Sequence, residues 1–321
     1  MIDTISKMPP GFLVGNAQDA DAGTGVTVLL HKQGAVGGVA VRGAAPATRE
    51  TDLLAPENSV ERIHAVVLSG GSAFGLEAAS GVMRWLSEQG VGFELQGNYV
   101  PIVCGASLFD LMVGAPHAYP DIAMGYEVCT VAAASCESGN VGAGTGATVG
   151  KFLGSGLAMK AGLGVASSTL GDLVVTAVVA VNALGTVVDR RTDTACAGAR
   201  NPDAPGEILS VDAALALLAQ GALAATAPST NTTIGCVLTN ACLNKAHATH
   251  LANMTHDAYA RAIEPVHTSM DGDAVFVMAS GEQDVNSDVV GILATRVMEA
   301  AILDAVHAAK GAYGLPAARD I

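Results

Sequence analysis

The run from Leu173 to Val188 constrains this chain more than any other stretch. It is apolar, interrupted by Asn182 and bounded by Asp172 and Asp189. A bilayer-spanning helix needs about 20 apolar residues, so the run is too short to cross a membrane. It reads instead as two buried strands joined at Ala183-Leu184-Gly185. The whole chain of 321 residues shares this character: 50% hydrophobic, 14% charged, 4% aromatic, with a mean hydropathy of +0.41. Such a balance calls for a large core, extensive subunit interfaces, or both. With 38 glycines and abundant alanine, close backbone packing does much of the filling.

Charge and cysteine usage exclude whole classes of function. A net charge of −14 argues against nucleic acid or an anionic membrane as partner, since both need a basic surface. The cysteines at 104, 129, 136, 196, 236 and 242 form no C-x-x-C pair, and are read as reduced thiols of a cytoplasmic protein. The opening Met-Ile-Asp-Thr-Ile-Ser-Lys has no long apolar segment of the secretory kind.

Strands and helices alternate without a regular βαβ rhythm. Residues 25–31 and 36–42 read as β-rich, separated by a glycine turn. Ala65–Ser69 is a short buried strand that runs through GGSAFG into a helix ending near Glu88. Leu76, Ala79, Val82, Met83 and Leu86 share one face of that helix. Residues 137–171 are glycine-rich, and 190–207 is a polar linker. A helix is predicted over 211–222, a polar loop (ATAPSTN) over 225–231, and a strand beginning abruptly at Thr232. Helices over 245–263 and 286–310 flank a strand at 274–279. Many apolar strands with helices in separate blocks point to layered sheets covered by helices. A linker at 190–231 could separate two domains, but one domain, 1–321, is preferred, because the 90 residues after it hold few strands and would bury little surface alone.

Two glycine motifs invite nucleotide binding and fail in detail. In Gly70-Gly71-Ser72-Ala73-Phe74-Gly75, the dinucleotide fingerprint needs glycine where Ser72 stands. In Gly144-Thr145-Gly146-Ala147-Thr148-Val149-Gly150-Lys151, a phosphate loop would start at Thr145 and end on Phe152 in place of the magnesium-binding hydroxyl. A glycine-rich turn bringing Lys151 and backbone N–H groups toward a pocket remains open. His247, His250 and His256 fall on one predicted helix without H-E-x-x-H or a nearby cysteine, so they read as solvated helix surface, not a metal site.

Three elements carry chemistry. Asn231-Thr232 lies where a polar loop meets a buried strand. There the Thr232 hydroxyl can attack the Asn231 carbonyl, shift the acyl group from N to O, and let water release the ester. The freed α-amine has a pKa of roughly 7.7–8.0 and can serve as general base to its own hydroxyl. From the pattern alone, Asn-Thr-Thr in a loop is a weak signal, and an ordinary loop-to-strand junction of β-branched residues is the favoured reading. Asp271 and Asp273, at i and i+2 before an apolar run, are either a turn or a pair holding that ammonium. Asn182 interrupts a buried strand, where a polar side chain must find a partner. It is a turn residue or a donor to an oxyanion, a contribution of about 3 kcal/mol elsewhere.

Taken together with Ala44–Asp52, Leu68–Leu76, Val100–Val103, Gly142–Gly146, Asn231–Ile234 and His267–Asp273, these elements resemble the L-aminopeptidase/D-Ala-esterase family. That family includes β-aminopeptidases and nylon-oligomer endo-hydrolases. The resemblance implies an α+β fold, a four-layer αββα sandwich of the N-terminal-nucleophile-hydrolase type. It also implies self-cleavage into a large chain (1–231) and a small chain (232–321). Thr232 matches the nucleophile, Asn231–Thr232 the processed bond, Asp271 and Asp273 the pair that holds it, Asn182 the oxyanion-side asparagine, and Lys151 a lysine near the nucleophile. A cation there would lower the amine's pKa.

Aminopeptidase members commonly carry serine as nucleophile and serine at the position of Asp271; this chain follows the nylon-hydrolase pattern at both. That branch has a tyrosine where Phe109 falls here, which bears on substrate binding more than on bond cleavage. The expectation is hydrolysis of short peptides, amino-acid amides or ω-amino-acid oligomers through an acyl-enzyme on Thr232, with no cofactor and no metal. A homo-oligomer, a tetramer, is expected from the apolar composition and the resemblance. Acyl transfer to an amine, and a non-maturing binding protein on the same scaffold, are the alternatives.

Overall fold

The computed structural model describes residues 2–3, 7–204, 206–219 and 231–321. The loop expected at 225–231 lies outside them except for Asn231, as does the end of the helix expected over 211–222, described as α3 (Val211–Ala219).

Ten strands are joined by hydrogen bonds, nine of them along one continuous path. In chain order they are β1 (Ile2–Asp3), β2 (Phe12–Asp19), β3 (Thr24–Val41), β4 (Thr48–Arg49), β5 (Arg62–Ser69), β6 (Val103–Ser107), β7 (Leu163–Leu170), β8 (Leu173–Asn182), β9 (Thr232–Ala241) and β10 (Ala274–Gln283). Their spatial order is β1-β7-β8-β9-β10-β3-β5-β6-β4, with β2 also on β3. The path holds two sheets because β3 belongs to both. Its first half pairs with β2 and β5, and its second half, from Val36 to Val41, pairs with β10.

Here the structure corrects the sequence reading. Residues 25–31 and 36–42 are not two strands around a turn. They are one 18-residue strand whose register with β5 shifts between Leu30 and Ala35. Gly34, at φ +76°, supplies the left-handed residue of that irregularity.

Side chains alternate across each strand, and the alternation sorts the core into three layers. Between the sheets lie Leu29, Val66 and Leu68 from one side and Val178, Ile234, Cys236 and Phe276 from the other. The opposite faces of β8–β10, with Val175, Val179, Val237 and Val277, pack under α4 (Lys245–Ala262) and α5 (Ser287–Ala308). The opposite faces of β3, β5 and β6, with Val28, Val67 and Val103, pack under α1 (Ala78–Glu88) and α2 (Ile122–Thr130). The result is the four-layer αββα sandwich. It also explains the opening run: β8 is covered on both faces, so all ten of its residues are buried and its sequence need not alternate. After Ala183-Leu184-Gly185 the chain does not return along β8. Thr186–Asp189 joins a separate small sheet with Thr194–Ala197 and Ile263–Glu264.

Local signals place the helices. Gly71, at φ +79°, lets the chain leave β5 sharply toward α1, whose Ala78, Ala79, Val82 and Leu86 are buried. Asp121, Asn244 and Asn286 cap α2, α4 and α5 by accepting from Met124, His247 and Asp288 N–H groups. All six cysteines are free. No helix among the described residues is long and apolar enough to cross a membrane.

Candidate active site

The site forms where the adjacent strands β9 and β10 begin. These two run parallel, with Ile234 opposite Ala274, so their leading residues meet. Asn231 forms a parallel bridge with Asp271, and on the other side Thr232 pairs with Asn182, the last residue of β8. Topology thus gathers Asn231, Thr232, Asp271, Asp273 and Asn182 within one buried neighbourhood.

The Asn231–Thr232 junction has a defined hydrogen-bond geometry. The Asn231 carbonyl accepts from Gly272 N–H at 2.9 Å and also from the Thr232 hydroxyl. The hydroxyl therefore lies against the carbonyl it would attack, and a fixed backbone dipole already points at that oxygen. Thr232 is 5% exposed.

Asp271 and Asp273 occupy one region but hold different groups. Asp271 Oδ2 accepts from Thr268 N–H at 2.8 Å and from its hydroxyl at 2.6 Å. Burial raises the Asp271 pKa, and repulsion from Asp273 adds to the rise. Asp273 Oδ1 accepts from Thr233 N–H at 2.7 Å. Its Oδ2 accepts from His267 N–H at 3.1 Å and lies 2.8 Å from His267 Nδ1.

Asn182 is wholly buried and connects three parts of the site. Its Oδ1 accepts from Lys151 Nζ at 2.7 Å, from Thr148 N–H at 3.1 Å and from the Thr148 hydroxyl at 3.3 Å. Its Nδ2 donates to the Phe109 carbonyl at 3.0 Å. Lys151 Nζ also donates to the Asn182 carbonyl at 3.0 Å. The glycine-rich turn left open in the sequence does carry Lys151 inward, at a short 3-10 segment following Gly150. Burial lowers the Lys151 pKa to about 7, against the pull of Asp271, Asp110 and Asp273. Near neutral pH it is divided between ammonium and amine.

Beside Lys151 opens a cavity of about 210 Å³ lined by Phe109, Met112, Thr148, Ala158 and Leu315 among others. Phe109 thus lines a cavity while its carbonyl anchors Asn182. Asp110, on the same wall, accepts from Gly71 N–H at 2.6 Å and from the Thr24 hydroxyl at 2.8 Å. Burial pushes it up to about 6. Lys160, fully buried, donates to the carbonyls of Gly144, Ala147 and Ala161.

Every residue the sequence singled out for chemistry sits in this region. Gly272, Thr148, Thr268 and His267 were not singled out individually. For Gly272, Thr268 and His267, proximity to the Asp271–Asp273 pair was the available signal; for Thr148, nothing in the sequence marks its contact with Asn182. The three histidines of α4 divide. His247 and His250 are exposed as expected, but His256 is fully buried, with Nε2 3.0 Å from the Ala40 carbonyl. It stands on the face of α4 that packs onto the sheet, so the solvated reading does not hold for it.

Comparison with known proteins places the chain. The model of peptidase family S58 matches residues 9–317. An uncharacterized aminopeptidase of Mycobacterium leprae is 42% identical, across 98% of this chain and 92% of its own length. A 6-aminohexanoate-oligomer endohydrolase of Paenarthrobacter ureafaciens is 32% identical, across 92% of this chain and 84% of its own. Among solved structures, the L-aminopeptidase D-Ala-esterase/amidase of Ochrobactrum anthropi, described as a variant of the Ntn hydrolase fold, superposes with a TM-score of 0.69. The match covers 96% of this chain and 86% of that one at 17% identity, a likeness of fold.

Proposed function

The chain belongs to peptidase family S58, and from that premise we propose that it is a self-cleaving N-terminal-nucleophile amide hydrolase acting through Thr232. Its family and relatives make it an amide hydrolase of the peptidase class. The observation that carries the finer reading is the Asn231–Thr232 junction, where hydroxyl and Gly272 N–H converge on one carbonyl oxygen.

In processing, Thr232 Oγ1 attacks the Asn231 carbonyl carbon. The developing oxyanion is held by Gly272 N–H. The Asn231–Thr232 C–N bond breaks and the hydroxyl proton ends on the Thr232 nitrogen, leaving an ester. Water then hydrolyses the ester to an Asn231 carboxylate, a free hydroxyl and a free α-amine. In turnover the α-amine takes the hydroxyl proton as Oγ1 attacks the substrate amide, returns it to the leaving amine, and water clears the acyl group. Asp273 holds the strand start through Thr233 N–H, and the negative charge of Asp271 and Asp273 favours the ammonium formed there. Lys151, anchored on Asn182, disfavours protonation of the amine while it is itself charged. Asn182 is the oxyanion-side residue of turnover.

We assign substrate binding to the cavity beside Phe109, and the substrates to short peptides, amino-acid amides or ω-amino-acid oligomers. The relative named as a 6-aminohexanoate-oligomer endohydrolase supports this assignment, as does a lining that sets Phe109, Met112, Val113 and Leu315 beside the polar Asp110, Lys151 and Tyr313. A homo-tetramer is also part of this reading. The apolar surface of the hairpin 93–100, where Phe93, Leu95, Tyr99 and Val100 are exposed, supports self-association.

Intact mass and N-terminal sequencing test the core of the proposal. A 32.0 kDa chain cut before Thr232 gives pieces of about 23 and 9 kDa, in proportion to residues 1–231 and 232–321. The smaller one should begin Thr-Thr-Ile-Gly. Thr232→Ala should leave the chain whole and inactive. A parent that stays whole on long incubation, or activity surviving that substitution, overturns the assignment.

A further inference from the structure

The carboxylate of Asp273 does not touch the nucleophile directly. Its Oδ1 is committed to Thr233 N–H, the first peptide group after Thr232. That bond orients the Thr232–Thr233 peptide plane, and with it the direction in which the Thr232 side chain leaves the backbone. The rotamer of Asp273 therefore matters to the Thr232 hydroxyl, four covalent bonds from the Thr233 nitrogen it holds. What fixes that rotamer sits at Oδ2, where His267 supplies its Nδ1 at 2.8 Å and its own N–H at 3.1 Å.

The imidazole is itself held from two sides. Tyr259 lies nearly parallel to it, with ring centroids 6.0 Å apart and 28° between planes, and His256 meets it edge-on at 4.8 Å and 75°. The titratable groups against the ring are thus Asp273, His256 and Tyr259. His256 is driven down to about 4 by burial, so it is neutral near pH 7 and does not compete for Asp273. The Tyr259 hydroxyl is turned to the Ala274 carbonyl at 3.3 Å. His267 reaches this place in a left-handed backbone conformation, φ +58°, which a side chain with a β-carbon disfavours. Such a conformation persists where the surroundings over-determine it. Here it aims both the N–H and the ring of one residue at one carboxylate oxygen.

We propose that His267 is a positioning residue for the Thr232 nucleophile, acting through Asp273 and Thr233 N–H. Nδ1 donates to the carboxylate and holds it against the repulsion of Asp271, which shares the site. Without that donor, a buried carboxylate is left with one backbone N–H on Oδ2 and is free to rotate away from Thr233. The inference rests on Thr232 being the nucleophile, and its consequences appear in rate rather than in substrate affinity.

The test compares His267→Ala, His267→Asn, His267→Gln, Asp273→Asn and the double variant His267→Ala/Asp273→Asn with the parent and with Thr232→Ala. Precursor cleavage is followed by intact mass. Turnover is followed on D-alanine p-nitroanilide, a β-peptide and a 6-aminohexanoate oligomer. Loss of the ring should slow cleavage and kcat by about 10- to 100-fold, with KM within about twofold. Asparagine places its amide N–H near the position of Nδ1, whereas glutamine places it near Nε2. His267→Asn should therefore recover to within about threefold of the parent while His267→Gln stays impaired. In the Asp273→Asn background, removing His267 should add less than about twofold. Parent-like His267→Ala, equal behaviour of the asparagine and glutamine variants, or an undiminished loss in that background would overturn the inference. Cleavage of Thr232→Ala would instead overturn the assignment of the nucleophile. An inert Thr232→Ala beside a parent-like His267→Ala overturns the role of His267 alone.

Discussion

Gly272 offers the sharpest probe of the cleavage geometry. A β-carbon built on it would stand 2.8 Å from Thr232 Oγ1, 2.7 Å from the Ala45 carbonyl oxygen and 3.2 Å from Pro46 Cα. Its φ is not in the left-handed range, so alanine brings no backbone strain and the consequence is purely steric. Ordinary contact begins near 3.4 Å. Either the hydroxyl retreats by about half an ångström or the turn carrying Gly272 N–H draws away from the Asn231 carbonyl. Misplacing a reacting group by about 1 Å costs about 100-fold, and losing an oxyanion donor about 100- to 1,000-fold. A shift of half that size should slow cleavage about 10- to 100-fold. Overpacking of this kind costs about 1–3 kcal/mol, a moderate loss for a domain this size. The assay is the fraction of whole chain against time after purification, by intact mass, alongside a thermal melt. Gly206→Ala is the control, since its β-carbon would meet nothing closer than Ile321 at 4.0 Å. If Gly272→Ala cleaves at the parental rate, the carbonyl is not attacked in the arrangement described.

Three further outcomes follow from the same geometry. Lys151→Met should lower kcat about 100-fold or more by leaving both Asn182 oxygens without the Lys151 donor, while the melting temperature holds or rises, because a buried, desolvated amine is replaced by an apolar side chain of similar length; a lowered melting temperature with parental kcat would refute this. For Asp110, burial holds the folded pKa near 6, above the ordinary 3.8, so its contribution is complete below about pH 4 and is lost as pH rises through about 6. Stability of the parent relative to Asp110→Asn should therefore fall by about 3 kcal/mol across that window in denaturant titrations, and a constant difference would contradict it. Finally, the small chain should remain bound after cleavage. β9 pairs with β8 over eight residues and β10 with β3 over six, so the two pieces should co-elute in native chromatography and separate only in denaturant. Early loss of the small piece would refute that.

Where segments were long and apolar, the sequence was readable. Thr232 opens a strand that is buried throughout, and the strong change from polar loop to apolar run marked its start. Helices α4 and α5 begin at asparagine caps and end within a few residues of their expected bounds. β3 was misread because Gly34 carries a turn signal while the structure uses it as an irregularity inside a continuing strand. His256 was misread because α4 carries two exposed histidines, His247 and His250, before the buried one, and only the seat of that helix on the sheet separates them. The contacts that make the site are harder still. Lys151 and Thr148 reach Asn182 across 31 and 34 residues of chain. No local pattern encodes such a pair; the resemblance to known hydrolases pointed to Lys151, and nothing pointed to Thr148.

The location of the site follows from one of the two parallel pairings in the strand path, the other being β5 with β6. β9 pairs antiparallel with β8, and β10 antiparallel with β3, but β9 and β10 run parallel to each other. A parallel pair puts two strand starts side by side, and each start carries polar backbone groups that the sheet has not yet paired. At β9 those groups belong to Asn231 and Thr232; at β10 they belong to Asp271, Gly272 and Asp273. The two starts bond to each other: Gly272 N–H goes to the Asn231 carbonyl, and the next backbone N–H of β9, that of Thr233, goes to the side-chain carboxylate of Asp273. A hydroxyl at the first position of β9 is therefore aligned by bonds the fold needs for its own closure. A slip of one residue between the two strands would exchange the faces of Thr232 and Thr233, turning the nucleophile away from the carbonyl while leaving the sheet formed. Catalytic alignment and sheet register are in this sense a single requirement, and substitutions that loosen the β9–β10 register should cost activity before they cost folding.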